Sequence, residues 1–485
     1  MSSTYLSDMT LIVPELILVG MALALLLGAN RIQESTLSAN GTILAGLGAI
    51  LAVLCKSSGS GFAESGFADM ITVDAYARFF KVLIAIALIL TTLLSMQRVD
   101  SKHVRTAEYH VLLLLAASGM MFAASSLNLI TLYLGLELTT VCSYILVGIT
   151  VDKPKSNEAA IKYFLLGSFA SALFLYGIAL AYGATGSTNF GSIAGYLSAN
   201  SLGDNPLLVM AAVLVAAGLA FKIAAVPFHA WAPDAYEGAH TPVAAFLATA
   251  SKVAGLAALG RVCLVIFASE GQVLSVVLGG LAALSIMVGS VLAMVQTNIK
   301  RLLAYSSIAH AGYALLGFVA GTASGTEATM TYAFLYVFMT LGAFGVVIML
   351  EDRGEDLEGY QGLALERPKA AALMLLFLLA LTGIPPTSGF IAKFVVILNV
   401  VQEGYYELAI LAVACSVISA FVYLRVAVLM YMKEPSATAS AGTGETIFSR
   451  IPVEVSVALA VAALVTVIGG IFPFLITAWA VAPIP

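Results

Sequence analysis

Long runs of apolar residues recur along almost the whole chain, and they constrain its fold more than any other feature. Because a helix needs about 20 apolar residues to cross the hydrocarbon core of a bilayer, each run of that length predicts one membrane span. Such runs lie near residues 10–29, 40–55, 76–97, 108–124, 126–150, 158–183, 206–226, 242–268, 273–296, 302–321, 327–350, 370–400, 407–432 and 454–480. Charged residues make up only 10% of the chain, against roughly 25% in a soluble domain. The sequence therefore predicts an all-α, polytopic membrane protein with about 14 transmembrane helices.

Lys and Arg residues of the predicted loops fall almost entirely on one side of the membrane. If the loop after the first span lies on side A, the side A loops hold Arg31, Arg98, Lys102, Arg105, Lys153, Lys155, Lys300, Arg301, Arg353, Arg367, Lys369, Lys433 and Arg450. The side B loops hold Lys56, with Arg78 and Lys81 at the mouth of the third span. Because cytoplasmic loops are enriched in Lys and Arg, side A is predicted to be cytoplasmic and both termini to face outward. No basic residue precedes the first span, so we expect that span to be retained rather than cleaved as a secretory signal.

Sequence motifs that bind cofactors are absent. The chain contains no GxxxxGK[ST], no GxGxxG after a strand and no HExxH. No CxxC pair occurs among the four cysteines, which are Cys55, Cys142, Cys263 and Cys415. We therefore expect no cofactor, no metal and no redox chemistry in this chain. The longest polar stretches, at 56–75, 184–205 and 434–453, are rich in Gly, Ser and Thr and are predicted to be loops.

Ionisable residues in the middle of spans are the strongest functional signal. A charge at the bilayer centre costs about 2.5–3.5 kcal/mol on insertion scales, so it is expected to be functional or paired. Mid-span charges occur at Glu137, Lys222, Lys252, Arg261, Lys393 and Arg425. Because a desolvated lysine can lose its proton and an arginine cannot, the three lysines are predicted proton carriers and the two arginines structural anchors.

Glu137 has no charged neighbour for more than ten residues in either direction along the chain. It is predicted either to tune the protonation of a nearby lysine or to form a static ion pair that locks two helices. His310 and His229 are candidate proton relays, since histidine titrates near neutral pH. Each histidine could equally be a buried side chain that only completes a hydrogen bond. Glu158 and Lys162 form an ordinary i,i+4 pair near the start of the sixth span.

Gly and Pro interrupt the spans that carry Lys222 and Lys393. Lys222 lies between Gly218 and Pro227, and Lys393 follows Gly383-Ile-Pro-Pro. Proline removes a backbone donor, and a broken helix survives in a membrane only where it lines protein or a wet cavity. Interruptions at matching places in two halves indicate an inverted-repeat transporter, although simple proline kinks would give the same local pattern.

A repeat of spans 4–8 as spans 9–13 places broken span 7 opposite broken span 12, and so Lys222 opposite Lys393. It also pairs the span of Glu137 with the span of His310. The predicted domain organisation is a single membrane domain, 1–485, made of N-terminal spans (1–107), a first repeat (108–268), a second repeat (273–432) and a C-terminal span (454–480).

Four motifs resemble the antiporter-like subunits of respiratory complex I, over roughly residues 70–435. They are Leu136-Glu137-Leu138, Phe221-Lys222 followed by Val-Pro-Phe-His-Ala-Trp-Ala-Pro-Asp234, Thr241-Pro-Val with Ala-Thr-Ala-Ser-Lys252, and Gln296-Thr-Asn-Ile-Lys-Arg-Leu-Leu-Ala-Tyr-Ser-Ser-Ile-Ala-His310. In this family one member has a long lateral helix after its last span, and another has a glutamate where this sequence has Lys393. The resemblance is therefore greatest to the N subunits of NADH-quinone oxidoreductase.

The resemblance implies a role for each intramembrane residue. Glu137 resembles the family's gating glutamate and Lys222 its paired lysine, whereas Lys252 resembles the central connecting lysine and Lys393 the residue facing the outer exit. It also implies a proton-translocating subunit in a bacterial plasma (inner) membrane, driven by quinone reduction elsewhere in the complex. Partners would be other membrane-arm subunits and membrane lipid, with no nucleic acid. Flavin and iron–sulfur clusters would belong to partner subunits.

Two other functions remain open at this stage. A cation/proton antiporter subunit of the Mrp type shares the same lysine and glutamate residues, and would be driven by an ion gradient without a redox partner. A membrane scaffold that merely retains these charges would tolerate replacement of Lys222 and Lys393.

Overall fold

The computed structural model describes residues 8–28, 35–57, 64–96, 106–200, 202–435, 452–478 and 480, and helices fill most of these ranges. In chain order they are α1 (Val13–Gly28), α2 (Ser35–Ser57), α3 (Ala75–Ser95), α4 (Thr106–Ser125), α5 (Leu129–Val147), α6 (Pro154–Thr185), α7 (Phe190–Ala199), α8 (Pro206–Lys222), α9 (Trp231–Gly238), α10 (Thr241–Ile266), α11 (Gly271–Ala293), α12 (Ile299–Leu316), α13 (Ala323–Met349), α14 (Leu363–Glu366), α15 (Pro368–Thr382), α16 (Ser388–Gln402), α17 (Tyr406–Met432), α18 (Val453–Ile471) and α19 (Phe474–Thr477).

Eleven helices in the described ranges are long and apolar enough to cross a membrane, namely α1–α6, α10, α11, α13, α17 and α18. Three shorter helices, α8, α15 and α16, are also apolar. The prediction of an all-α, polytopic membrane protein is therefore confirmed. Arg31, Arg98, Lys102, Arg105 and Arg450 lie outside the described residues, so the loop positions predicted for those side chains have no structural counterpart here.

Many of these helices begin after a residue whose side chain caps the first turn. Asp74, Asn128, Asn205, Asn298 and Thr322 each accept a hydrogen bond from a backbone N–H in the first turn of the following helix. The first N–H groups of a helix have no partner within the helix, and hydrocarbon supplies none. These polar residues therefore determine where the apolar helices begin.

Two apolar runs are interrupted beside a lysine. α8 ends at Lys222 and helix resumes at α9, while α15 ends at Thr382 and α16 begins at Ser388. Gly383, with φ 90°, ends α15 in a conformation that favours glycine. Val226–Pro227 and Pro385–Pro386 are cis peptide bonds in the two interruptions.

The helix α10 stays continuous, but two of its turns are widened. Residues Leu247–Ser251 and Val262–Ile266 have π-helical hydrogen bonding. π turns inside α-helices occur frequently at functional sites. The first widened turn directly precedes Lys252.

Two of the stretches predicted to be loops contain regular structure. Within 184–205, α7 buries Phe190, Ile193 and Leu197, which lie on one face of the helix. Within 56–75, β1 (Glu64–Gly66) pairs antiparallel with β2 (Ile71–Val73). The loop prediction was wrong here because each segment buries a few apolar side chains against the helix bundle, which polar composition does not reveal. Of the third stretch, 436–451 lies outside the described residues.

Connections between helices gather at two opposite ends of the bundle. At one end, the bridges Ile71↔Ser126 and Asn128↔Asn189 join the β hairpin to the starts of α5 and α7. At the other end, Arg301 at the start of α12 forms ion pairs with side chains of α9.

Glycine makes close helix contact possible beside the second interruption. A Cβ at Gly389, in the first turn of α16, would lie 1.6 Å from the backbone oxygen of Ala380. A Cβ at Gly280, on the exposed face of α11, would meet no atom within 4 Å. Gly389→Ala must therefore push α16 away from α15, whereas Gly280→Ala should be harmless.

We expect Gly389→Ala to lower the thermal midpoint of the detergent-solubilised protein by several degrees or to reduce its assembly. Overpacking typically costs on the order of 1–3 kcal/mol. Gly280→Ala is the matched control, because it makes the same chemical change in a helix interior. Equal thermal midpoints for the two variants would contradict the close approach.

Candidate functional site

Lys222 and Glu137 form an ion pair between α8 and α5. The Lys222 Nζ lies 3.0 Å from the Glu137 Oε1 and donates a hydrogen bond of 2.6 Å to the Thr140 hydroxyl. The Ser171 hydroxyl donates to the same carboxylate oxygen at 2.6 Å. Lys222 is 7% exposed and Glu137 21% exposed. The two residues that the sequence singled out in the first half are thus in direct contact, with the carboxylate nearer the bundle surface.

Lys252 lies in the middle of the bundle and has no carboxylate partner among the described residues. Its side chain is 1% exposed, and its Nζ donates a hydrogen bond of 2.6 Å to the backbone oxygen of Ser307 in α12. The hydrogen-bond acceptor of the Lys252 ammonium is therefore a neutral carbonyl, whereas the Lys222 ammonium lies against a carboxylate. An ammonium without a counterion is costly in apolar surroundings, so this hydrogen bond is the main compensation for burying Lys252.

His310 lies one turn beyond Ser307 on α12, surrounded by tyrosines. Its Nδ1 is 2.6 Å from the Tyr332 hydroxyl of α13, and its ring centroid is 5.4 Å from that of Tyr336. The Tyr336 hydroxyl donates to the backbone oxygen of Ala248, one turn before Lys252 on α10. The structure therefore brings His310 and its tyrosines close to the helix of Lys252.

Lys393 lies in the second turn of α16, and its side chain faces the second interruption at Gly383. Its Nζ donates to the backbone oxygen of Thr382 at 2.7 Å and to the Ser416 hydroxyl at 3.1 Å. The same Nζ lies 4.7 Å from the centroid of the Tyr313 ring, a cation–π distance. Because α15 ends at Thr382, its last carbonyl groups lack helical partners, and one of them is free to hold this ammonium.

His229 lies in the connection between α8 and α9 and is half-buried. Among the described residues, it forms no hydrogen bond with the three lysines.

The two mid-span arginines bind groups at helix ends. Arg261 forms an ion pair with Asp74, the cap of α3, and Arg425 donates at 2.7 Å and 2.6 Å to the backbone oxygens of Met294 and Gln296 after α11. These contacts agree with the anchoring role predicted for both arginines.

A second buried ion pair was missed by the sequence reasoning. The Lys81 Nζ lies 2.7 Å from the Glu15 Oε1, with 1% and 0% of the two side chains exposed. The sequence placed Lys81 at the mouth of the third span, where lysine commonly reaches solvent. Glu15 was not singled out because an acid in the first turn of a helix is common. The available signal was an acid and a lysine at the same predicted depth in the first and third spans.

A network of charged side chains from α6, α9 and α12 covers one end of the bundle. Arg301 Nη1 lies 2.7 Å from Asp234 and 3.0 Å from Glu237, and Lys162 Nζ lies 3.1 Å from Asp234 and 2.7 Å from Glu158. Partial burial raises the pKa of the Asp234 carboxyl, but the hydrogen bonds from Arg301 and Lys162 outweigh it and leave that pKa below its usual value. The carboxylate therefore stays ionised at neutral pH and ties α9 to α12 and α6.

Metal-ligating side chains are not gathered anywhere in the described ranges. No group of three His, Cys, Asp or Glu side chains there could hold a metal ion. The groups that the bundle does gather, lysine ammonium, carboxylate, imidazole and phenol, are donors and acceptors of protons.

Comparison with known proteins places the chain in a family. A family described as NADH:quinone oxidoreductase/Mrp antiporter matches residues 126–419, which include Glu137 and all three lysines. The chain is 43% identical, over 87% of its length and 88% of the relative, to NADH-quinone oxidoreductase subunit N 2 of Rhizobium meliloti (strain 1021).

Solved structures agree on the fold. A chain of respiratory complex I from Thermus thermophilus with bound aureothin is 31% identical, with a TM-score of 0.80 over 97% of this chain and 100% of that one. A chain of the Mrp complex from Dietzia sp. DQ12-45-1b reaches a TM-score of 0.84 over 97% and 96%, but at 20% identity it supports the fold alone. By sequence and by fold, the chain belongs to the family of NADH-quinone oxidoreductase N subunits.

Proposed function

We propose that this chain translocates protons across a bacterial plasma membrane as a membrane-arm subunit of NADH-quinone oxidoreductase, driven by quinone reduction elsewhere in the complex. One observation carries the proposal. Lys222, Lys252 and Lys393 are all buried inside a bundle of membrane helices, and each ammonium has a different set of acceptors. Buried lysines are expensive in a membrane and can release a proton, which arginine cannot.

The Glu137–Lys222 pair controls the first step. A neighbouring carboxylate favours the protonated lysine, so weakening or neutralising Glu137 favours release of the proton from Lys222. Glu137 is the less buried partner, on the side of α5 that reaches the bundle surface. A change at that surface can therefore act on the carboxylate without disturbing the interior.

Lys222, Lys252 and Lys393 form a row, in which Lys252 in the middle and Lys393 at the far end have neutral partners. Lys252 receives the proton, and His310 with Tyr332 passes it towards Lys393, since an imidazole and a phenol can each both donate and accept. The Lys393 ammonium, held by Thr382 and Ser416, is the last carrier before the outer side. His229, in the first interruption, relays protons on the side of the membrane from which they enter.

The row lies across two inverted repeats, and backbone hydrogen bonds support this architecture. Asn128 caps α5 and bridges to Asn189 after α6, while Asn298 caps α12 and bridges to Asp356 after α13. The two bridges lie at opposite ends of the bundle, as an inverted repeat requires.

Helix contacts follow the same correspondence. A Cβ at Gly119 in α4 would meet the backbone oxygen of Gly135 at 2.6 Å, and one at Gly289 in α11 would meet that of Tyr305 at 2.9 Å. On this basis α8 with its interruption corresponds to α15 and α16, and α10 to α17. Counting α12 and each interrupted pair as single spans gives 14 crossings, with both termini on the outer side and the Arg301–Asp234 network on the cytoplasmic side.

The energy source follows from the family rather than from this chain. Relatives named as N subunits of NADH-quinone oxidoreductase support a subunit coupled to redox partners, which would carry the flavin and iron–sulfur clusters. The Mrp-type antiporter remains the second candidate, because the match to its fold is close although its sequence identity is low. A scaffold without transport is disfavoured, because apolar residues would fill the same positions at less cost.

Replacement of Lys393 tests the carrier role. We expect Lys393→Ala to lower proton pumping on the order of tenfold in proteoliposomes that hold the assembled complex, measured with a pH-sensitive dye during quinone reduction. Lys393→Arg keeps the charge but cannot release a proton, so it should be equally impaired. The exposed Lys433→Ala is the control. Normal pumping by Lys393→Arg would make the lysine an anchor and refute the proposal.

The Glu137 variants separate charge from packing. Glu137→Gln removes the charge that favours protonated Lys222 and should slow turnover several-fold, whereas Glu137→Asp keeps the charge and should be milder. Quinone reduction and pumping are measured on the same preparation. Equal damage from both variants would indicate that the carboxylate acts through shape alone.

Purification distinguishes the two candidate energy sources. A tagged chain is isolated in mild detergent, its partners are identified by mass spectrometry, and iron and flavin are measured. We expect co-purification with subunits that bear flavin or clusters. Recovery with small membrane partners alone would favour the cation/proton antiporter.

A further inference from the structure

A small pocket opens where α1, α2 and α3 meet at one end of the bundle. Its polar lining consists of Thr10, Lys56, Arg78 and Lys81, and apolar side chains complete it. The enclosed part measures about 10 Å³, room for one group of the size of a water molecule. None of these residues belongs to the row of Lys222, Lys252 and Lys393.

Two of the three cations in this pocket already have acidic partners. Lys81 pairs with Glu15, and the Lys56 Nζ lies 3.0 Å from Glu64 and donates to Thr10 at 2.6 Å. Arg78 has no side-chain hydrogen bond or ion pair within the described part of the chain, and its Nε is buried without an acceptor. The pocket therefore keeps one uncompensated positive charge, at a guanidinium partly withdrawn from solvent.

The pocket lies at the level of the membrane surface. Thr10 begins the 3₁₀ turn that leads into α1, Lys56 is in the last turn of α2, and Arg78 is in the first turn of α3. From the pocket towards the bilayer middle, α2 presents Leu54 and Leu51, which are 46% and 61% exposed. A cationic end followed by an apolar surface matches the headgroup and acyl chain of a lipid.

We propose that this pocket binds the phosphate of an anionic phospholipid, with the guanidinium of Arg78 as the main contact. Guanidinium groups bind phosphate through two parallel hydrogen bonds, and one phosphate oxygen is about the size of a water molecule. Basic pockets between membrane helices are known to hold lipid headgroups. The single surplus charge selects lipids with a net negative charge.

Lipid retention tests the site directly. The assembly that contains the full chain is exchanged into micelles with equal amounts of phosphatidylglycerol and phosphatidylcholine, and retained lipid is measured by native mass spectrometry. We expect Arg78→Gln to weaken retention of one phosphatidylglycerol per chain about tenfold, because a charge-assisted hydrogen bond is lost. Arg78→Lys should lie between, since lysine cannot bind phosphate with two parallel donors.

The exposed Lys369→Gln, at the opposite end of the bundle, is the matched control, because it removes one positive charge from a surface position. Unchanged phosphatidylglycerol retention in Arg78→Gln, or equal loss in Lys369→Gln, would overturn the proposal. Binding of inorganic phosphate at this pocket by an assembly that retains no phosphatidylglycerol would also overturn it, by showing that the pocket binds a free anion.

A second measurement needs no variant. Phosphatidylglycerol with a photoreactive headgroup is added to the unmodified assembly, and crosslinked peptides are mapped. We expect crosslinks to the peptides that carry Thr10 or Lys56, removed by competing phosphatidylglycerol but not by phosphatidylcholine. Crosslinks only elsewhere would refute the site. Neither experiment uses proton pumping, so the outcome does not depend on the proposed function.

Discussion

The hydrocarbon around this protein offers no hydrogen-bond partner to a polar group, and the rest of the structure depends on that constraint. Each buried cation must find its acceptor inside the protein, because hydrocarbon offers none. Lys222 uses a carboxylate and a hydroxyl, whereas Lys252 and Lys393 use backbone oxygens of Ser307 and Thr382. The interruption after α15 is what makes the Thr382 carbonyl available. A helix that breaks inside the membrane thus creates the acceptor that its own lysine needs.

The two interrupted segments are similar in form but differ in charge. Lys222 lies against Glu137, while Lys393 lies against a carbonyl, a hydroxyl and the Tyr313 ring. One ammonium therefore faces a counterion and the other faces neutral dipoles, and in the proposed relay this inequality gives the proton path two different ends. The proposal that a distant reaction acts through Glu137 rests on that difference.

Buried lysines and buried arginines occupy different kinds of position. Arg261 holds the cap of α3 and Arg425 holds the end of α11, both at helix termini where backbone groups lack partners. The lysines of the row lie between these anchored ends. Glu15 and Lys81 add a further buried pair outside the row, in the same helix layer as the pocket at Arg78. The arginines, whose charge is permanent, therefore fasten helix ends, and the three lysines occupy other buried positions.

The sequence alone determined that the chain is an all-α membrane protein, and it identified the lysines and Glu137, because charges and prolines stand out against long apolar runs. It also placed Lys222 and Lys393 beside interruptions. The tertiary structure decided which partner each charge has, because an acceptor such as the Ser307 carbonyl is a backbone atom that every residue carries. It alone revealed the Glu15–Lys81 pair and the burial of α7, since these depend on which helices become neighbours. Contacts between distant segments leave no local pattern, and so packing had to supply them.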